Sequence, residues 1–216
     1  MNNERLTISE IFFSIQGESS RMGLPCTFVR LSFCNLRCSW CDSEYTFTGG
    51  EEMTVESVLA HVREYPTRLV EITGGEPLLQ ESVFPLMKQL CEEGFDVLLE
   101  TSGSVDITRV DSRVIRVIDI KCPGSGMVHR NRWKNLDDLR PSDEIKFVIA
   151  DKQDYTWARD CMQKHHLPER CLVLFSPVFG KQDNLALAEW ILADGLPVRY
   201  QLQIHKYIWS HETRGV

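Results

Sequence analysis

Three cysteines, Cys34, Cys38 and Cys41, stand with three and then two residues between them, directly after a strand-like run. Thiolates this close can hold three corners of a 4Fe–4S cube. The fourth iron then has no protein ligand and is open, as a Lewis acid, to a substrate or cofactor. A structural zinc site normally closes with four ligands, so zinc here would draw its fourth from Cys26 or a distant His. A disulfide between any two of the three leaves the third unpaired. A second stretch is Gly74-Gly75-Glu76-Pro77. Two residues without side chains let backbone N–H and C=O groups approach a ligand closely; the other reading is an ordinary turn.

These residues need a frame. Leu6 to Phe13 reads as a strand ending in Ser14-Ile15-Gln16-Gly17-Glu18. Cys26 to Phe33 reads as a second, alternating around Phe28, Val29 and Leu31, and the cysteine loop follows at once. It continues through Asp42-Ser43 to a Gly49-Gly50 turn. Thr54 predicts the N-cap of a helix through Glu64, with Glu56 in its first turn. Val55, Val58, Leu59 and Val62 fall on one face of it. Further strands are expected at Arg68–Thr73, Phe95–Thr101, Val114–Lys121, Glu144–Ala150, Leu172–Phe175 and Val198–Ile204, with helices at Gln80–Glu93, Asp154–His165 and Asn184–Leu192. Pro123 to Asn131 reads as loop.

Strands alternating with helices predict an α/β fold with a largely parallel sheet. About four helices for about eight strands predict an incomplete β/α barrel of the TIM type rather than a full one. The polar and Gly-rich motifs all follow strand ends, where parallel α/β sheets carry their chemistry.

At 216 residues the chain is expected to form a single domain, 1–216. A net charge of −7 argues against broad binding to nucleic acid or an anionic membrane. No apolar run approaches a membrane span and no signal peptide is visible. Eight cysteines in that context predict reduced thiols and a cytoplasmic protein. Cys91, Cys122, Cys161 and Cys171 are expected to be small buried apolar side chains.

The CxxxCxxC loop resembles the signature of the radical S-adenosylmethionine (SAM) enzymes, and Gly74-Gly75-Glu76-Pro77 their GGEP motif. In that family the open iron is chelated by SAM, whose cleavage yields a 5′-deoxyadenosyl radical. Ser14-Ile15-Gln16-Gly17-Glu18, Phe28-Val29-Arg30, Cys41-Asp42-Ser43 and Glu100-Thr101-Ser102-Gly103 appear in order with these motifs. The set resembles the 7-carboxy-7-deazaguanine synthase branch, from about Ile8 to Lys121 and again at the C-terminal segment.

The resemblance implies a substrate, 6-carboxy-5,6,7,8-tetrahydropterin, that loses ammonia to give 7-carboxy-7-deazaguanine, in queuosine and deazapurine biosynthesis. It implies a 4Fe–4S cluster on Cys34, Cys38 and Cys41, SAM, and Mg²⁺ on Ser43. Without it, Ser43 reads as a loop hydroxyl and Asp42 as the better hard-oxygen ligand. It places Ile15, Gln16, Gly17, Glu18, Arg30 and Thr101 on the substrate. Arg30 is suited to a carboxylate, Gln16 to a heterocycle edge and Glu18 to its N–H groups. Gly74, Gly75, Glu76, Gly103, Asp119, Ile120 and Lys121 are implied SAM contacts, although the chain has Asp-Ile-Lys-Cys-Pro where relatives often have Ser-Pro-Lys-Pro. Val216 either closes over the pterin through its carboxylate or belongs to a frayed end. Relatives are commonly homodimers reduced by a flavodoxin or ferredoxin, which a local basic patch including Arg37 would receive. Other readings are a radical SAM activating enzyme for a protein partner, and a zinc-binding module.

Overall fold

The computed structural model describes residues 4–210 and 213–216. The strands are β1 (Arg5–Ile15), β2 (Pro25–Leu31), β3 (Glu51–Thr54), β4 (Leu69–Gly74), β5 (Asp96–Thr101), β6 (Ile115–Asp119), β7 (Glu144–Ile149), β8 (Leu172–Pro177) and β9 (Arg199–Tyr200). The longer helices are α1 (Val55–Arg63), α2 (Val83–Glu92), α3 (Lys152–Lys164) and α4 (Asn184–Asp194); α5 is the short His205–Ile208. All nine strands form one sheet in the order β3-β1-β2-β4-β5-β6-β7-β8-β9. β1 pairs antiparallel with β2 and β3, and every pair from β2–β4 onward is parallel.

Side chains alternate across a strand with period two, and here the two faces have different tasks. On one face Val70, Ile72, Val97, Leu99, Ile118, Ile145 and Phe147 pack under α1 to α4 in the main apolar core. Each fully buried Val, Leu or Ile there contributes about 1.5–3 kcal/mol. On the other face Phe12, Cys26, Phe28, Leu69, Leu98 and Val117 form a small apolar floor. Above that floor, toward the carboxyl ends, the same face turns polar: Arg30, Glu71, Thr73, Glu100, Asp119 and Lys146 border a common cavity. Strands from β1 to β7 thus wrap one lumen, an incomplete barrel whose edge strands are β3 and β9.

Side chains cap three of the helix starts, and Thr54 does so as expected. Thr54 Oγ1 accepts from Ser57 N at 3.1 Å, Asp151 Oδ1 from Asp154 N at 2.9 Å and Asp183 Oδ1 from Ala186 N at 2.8 Å. Three expectations are corrected. α2 begins at Val83 rather than Gln80 because Gln80 is a bracket: its Oε1 accepts from Thr7 N at 2.7 Å, and its Nε2 donates to Thr7 O and Ser32 O. The last strand is cut to Arg199–Tyr200, after which the chain leaves the sheet and crosses the open side. β3 lies where a loop was expected, its polar Glu51-Glu52-Met53-Thr54 pairing with Arg5–Ile8 at an edge. Among the described residues no helix is long and apolar enough to cross a membrane.

Candidate active site

β2 delivers the chain to the cysteine loop through Ser32 and Phe33. Phe33 has φ +74°, a left-handed conformation that costs a bulky residue about 1–3 kcal/mol. Its N donates to Thr46 O at 2.6 Å and its carbonyl accepts from Glu76 N at 2.8 Å, which hold it there. Gly75 N donates to Leu31 O at 3.0 Å. A Cβ on Gly75 would stand 2.1 Å from Phe33 O and 3.0 Å from Cys34 Cβ; one on Gly74 would stand 2.2 Å from Leu31 O. The glycines therefore let the end of β4 lie flat against the root of the cysteine loop.

Cys34, Cys38 and Cys41 are free, partly exposed thiols facing the cavity. Leu36 N donates to Cys34 Sγ at 3.4 Å, and Cys41 N donates to Cys38 O at 3.2 Å. Burial raises the Cys34 and Cys38 pKa values, with Lys121 pulling the other way. Three soft donors on one loop, opening on one cavity, fit an iron–sulfur cluster with one iron left to a ligand. Among the described residues no three Cys, His, Asp or Glu side chains are placed to hold a single metal ion.

The cavity, about 740 Å³, brings together Ile15, Gln16, Gly17, Glu18, Arg30, Ser43, Gly74, Gly75, Thr101, Asp119, Lys121 and Val216 with the three thiols. Three of the expected contacts are not in its lining. Glu76 is fully buried and ties β4 to β5: its carboxylate accepts from Leu78 N, Thr101 Oγ1, Ser102 N and Ser102 Oγ. Its charge is spent within the protein, and the Thr101 hydroxyl proton is committed to it. Ile120 packs in the main core. Gly103 sits behind the rim, its carbonyl accepting from Arg132 N and Asn135 Nδ2.

Arg30 Nε donates to Glu10 Oε1 at 2.7 Å, and Tyr45 OH donates to the same oxygen at 2.7 Å. Burial works against the Arg30 charge, but Tyr45, Glu10 and Asp42 outweigh it and raise its pKa. Burial pushes the Tyr45 phenol up to about 12, so it stays a donor. Ser43 Oγ lies 3.7 Å from Cys41 Sγ, while neighbouring Asp42 accepts from Lys206 Nζ at 2.6 Å. Asp42 is exposed at the cavity mouth; the surrounding protein opposes its charge, but Lys206 holds its carboxyl down at about 2. Lys121 Nζ meets Asp119 Oδ2 at 2.7 Å.

Sequence reasoning singled out Glu18 but missed its lumen partners Lys146 and Glu100. Lys146 Nζ is 3.0 Å from Glu18 Oε2 and in close contact with Glu100 Oε1; Thr73 Oγ1 donates to Glu100 Oε2 at 3.2 Å. Burial works against the Lys146 charge, but Glu100, Glu18 and Asp119 raise its pKa well above the ordinary lysine value. Burial likewise opposes the Glu18 charge, but Lys146 and His205 bring its pKa below the ordinary value. The signal was present: Glu71 and Lys146 each interrupt an apolar strand run, where an unpaired charge is costly. Of the wall made by 201–210 and 213–216, only the closing terminus at Val216 was expected. Ile204 N donates to Gly17 O at 3.1 Å, Gln201 Nε2 to Ser19 O at 3.1 Å, and Gln203 Nε2 to Glu18 Oε1 at 2.9 Å. A Cβ on Gly17 would lie 1.9 Å from His205 Nδ1, and Arg214 stacks over the Tyr45 ring at 4.1 Å.

Residues 29–118 match the model of the radical SAM superfamily. A 7-carboxy-7-deazaguanine synthase of Koribacter versatilis is 49% identical, over 98% of this chain and 100% of its own length. Its namesake in Chlorobaculum tepidum is 47% identical over 98% and 97%. Among solved structures, QueE from Escherichia coli superposes with a TM-score of 0.76 over 92% of this chain and 93% of that one at 23% identity. Streptococcus suis SuiB bound to S-adenosylmethionine superposes with 0.56 over 81% and 47% at 13% identity. These two likenesses establish the fold.

Proposed function

The chain belongs to the 7-carboxy-7-deazaguanine synthase family of the radical SAM superfamily, and on that premise we propose that it converts 6-carboxy-5,6,7,8-tetrahydropterin to 7-carboxy-7-deazaguanine with loss of ammonia. One observation supports the reading: the three thiols, the glycine strip, Arg30 and Gln16 open on a single cavity of about 740 Å³. That size lies within the range of roughly 300–1,000 Å³ common to small-molecule sites. When bound, the cluster and SAM supply the hydrogen-atom abstraction that starts the rearrangement.

The chain's own residues bind, orient and shield. Cys34, Cys38 and Cys41 would hold the cluster, and the backbone of Gly74 and Gly75 with Asp119 and Lys121 would hold SAM. Glu76 and Ile120, facing away from the cavity, act by shaping the backbone. Gly103 closes the turn after β5 on the same side. Arg30 binds the pterin carboxylate, kept in aim by Glu10 and Tyr45. Gln16 and Glu18, with the backbone of Ile15 and Gly17, read the heterocycle edge; Thr101 faces it from β5. Ser43 would contribute a hydroxyl oxygen to Mg²⁺ together with the substrate carboxylate, while Asp42 Oδ2 is engaged by Lys206. The wall made by 201–210 and 213–216 excludes water. An acidic flavodoxin or ferredoxin delivers the electron beside the exposed Arg37, whose Nη1 donates to Cys34 O at 2.9 Å. The assembled cytoplasmic enzyme is a homodimer, which sedimentation checks.

Anaerobic incubation with SAM, reductant, Mg²⁺ and the carboxypterin tests the function: mass spectrometry is expected to find the deazaguanine product, and its absence with intact cluster and SAM overturns the reading. Arg30→Ala is expected to raise KM for the pterin about 10- to 100-fold, the loss of a charge-assisted contact, with SAM affinity unchanged. Equal loss of both contradicts the assignment. Turnover is expected to rise with Mg²⁺, and Ser43→Ala to flatten that response; an unchanged Mg²⁺ titration removes Ser43 from the shell.

A further inference from the structure

Glu71 lies on the lumen floor and no role assigned so far uses it. Its strand neighbours in register are Phe28 on β2 and Leu98 on β5, both in the apolar floor. Its carboxyl borders the cavity while the residue is 5% exposed. Gln16 Nε2 donates to Glu71 Oε2, and Gln16 Oε1 accepts from Glu18 N at 2.9 Å. The second bond fixes which way the amide points, because a flip would turn its NH2 onto a backbone N–H.

The charged and titratable groups facing Glu71 are Glu100 from β5, Lys146 from β7, Glu18 from the loop after β1 and the Cys26 thiol from β2. Lys146 is engaged by Glu18 and Glu100. Among the described residues Glu71 makes no ion pair of its own. A third carboxylate in this place would face two others over an apolar floor. Burial first, then Glu100 and Glu18, raise the Glu71 pKa well above the ordinary carboxyl value, with Gln16 and Lys146 opposing. An apolar floor, two facing carboxylates and no cation of its own favour the acid form, both donor and acceptor. Gln16 presents its NH2 to it, so the acid proton is left for the cavity.

We infer that Glu71 locks the Gln16 amide and offers its own O–H to an acceptor atom of the bound heterocycle, a ring carbonyl or imine-type nitrogen, and so sets specificity for the pterin. The inference rests on the proposed pterin substrate, but its first test does not. Infrared spectroscopy of the folded protein is expected to show a buried carboxylic C=O band that Glu71→Gln removes. If that band is unchanged in Glu71→Gln, Glu71 is ionised and the inference falls, whatever the substrate proves to be. The second test separates shape from hydrogen bonding. Glu71→Gln keeps a donor and an acceptor in the same outline, and is expected to keep the pterin KM within about threefold; Glu71→Leu, which keeps neither, is expected to raise it about tenfold or more. SAM affinity, unchanged in both, certifies the fold. The wild-type KM is expected to climb as pH rises through the Glu71 pKa, a climb missing from Glu71→Gln. Equal KM values for the Gln and Leu variants, or the same pH dependence in Glu71→Gln as in wild type, overturn the inference.

Discussion

Cys38→Ala is expected to abolish SAM cleavage, a loss on the order of 10⁶-fold at the low end of enzymatic rate enhancements. The reason is the donor count. With three thiols, three irons are held and one is left open; with two, the cube has no third anchor. Iron per chain after anaerobic reconstitution, and 5′-deoxyadenosine formed from SAM, are the measurements. Cys161 provides the control. It is buried in the main core away from the cavity lining, and Cys161→Ala is expected to cost some stability while leaving iron content intact. A Cys38→Ala protein with full iron and unaltered cleavage would sink the assignment.

Lys146→Met is expected to lower stability by about 1–3 kcal/mol, because it leaves two partly buried carboxylates without their counter-charge. The residue is 4% exposed, and it serves Glu18 and Glu100 together. The pH dependence has a definite sign. The raised Lys146 pKa means that its stabilisation is present below the ordinary lysine value and is lost as pH climbs through the folded one. The Glu18 pKa is depressed, so its contribution holds above the ordinary carboxyl range and is lost on acidification through the folded value. In the variant Glu18 loses the charge that lowers its pKa and takes up a proton more readily. The deficit against wild type is therefore expected to shrink as pH falls, which urea unfolding across a pH series reads. A deficit independent of pH would show that the lysine is held by packing alone. Adding Glu100→Gln to Lys146→Met is expected to recover part of the loss, since one of the stranded charges is then gone.

What the residues alone made legible was local. Cys34, Cys38 and Cys41 lie within one loop, and Gly74 to Pro77 at one strand end, so their spacing is itself the signal. The barrel strands were legible as apolar runs, because both faces of most of them are covered near the floor. The rest depends on distance. Glu10 is 20 residues from the Arg30 it aims, and Glu18 is 128 from Lys146. No spacing rule joins such pairs before a sheet register exists. β3 was invisible because an edge strand of Glu51-Glu52-Met53-Thr54 has neither an apolar run nor alternation. Glu76 shows the opposite failure. Its motif was plain, but whether the carboxylate faced a ligand or the fold was decided by Thr101 and Ser102, a strand away.

The two margins of the sheet never meet, and the gap between them is bridged by the stretch from Gln201 onward, fastened at Gly17, Glu18 and Asp42. The cavity's mouth is thereby closed by a piece of polypeptide separate from the barrel strands that carry Arg30 and Glu71. Grafting a different stretch into the gap would remodel the chamber's mouth without disturbing a single ladder pairing, which makes it the natural place to re-engineer the enzyme toward altered heterocycles.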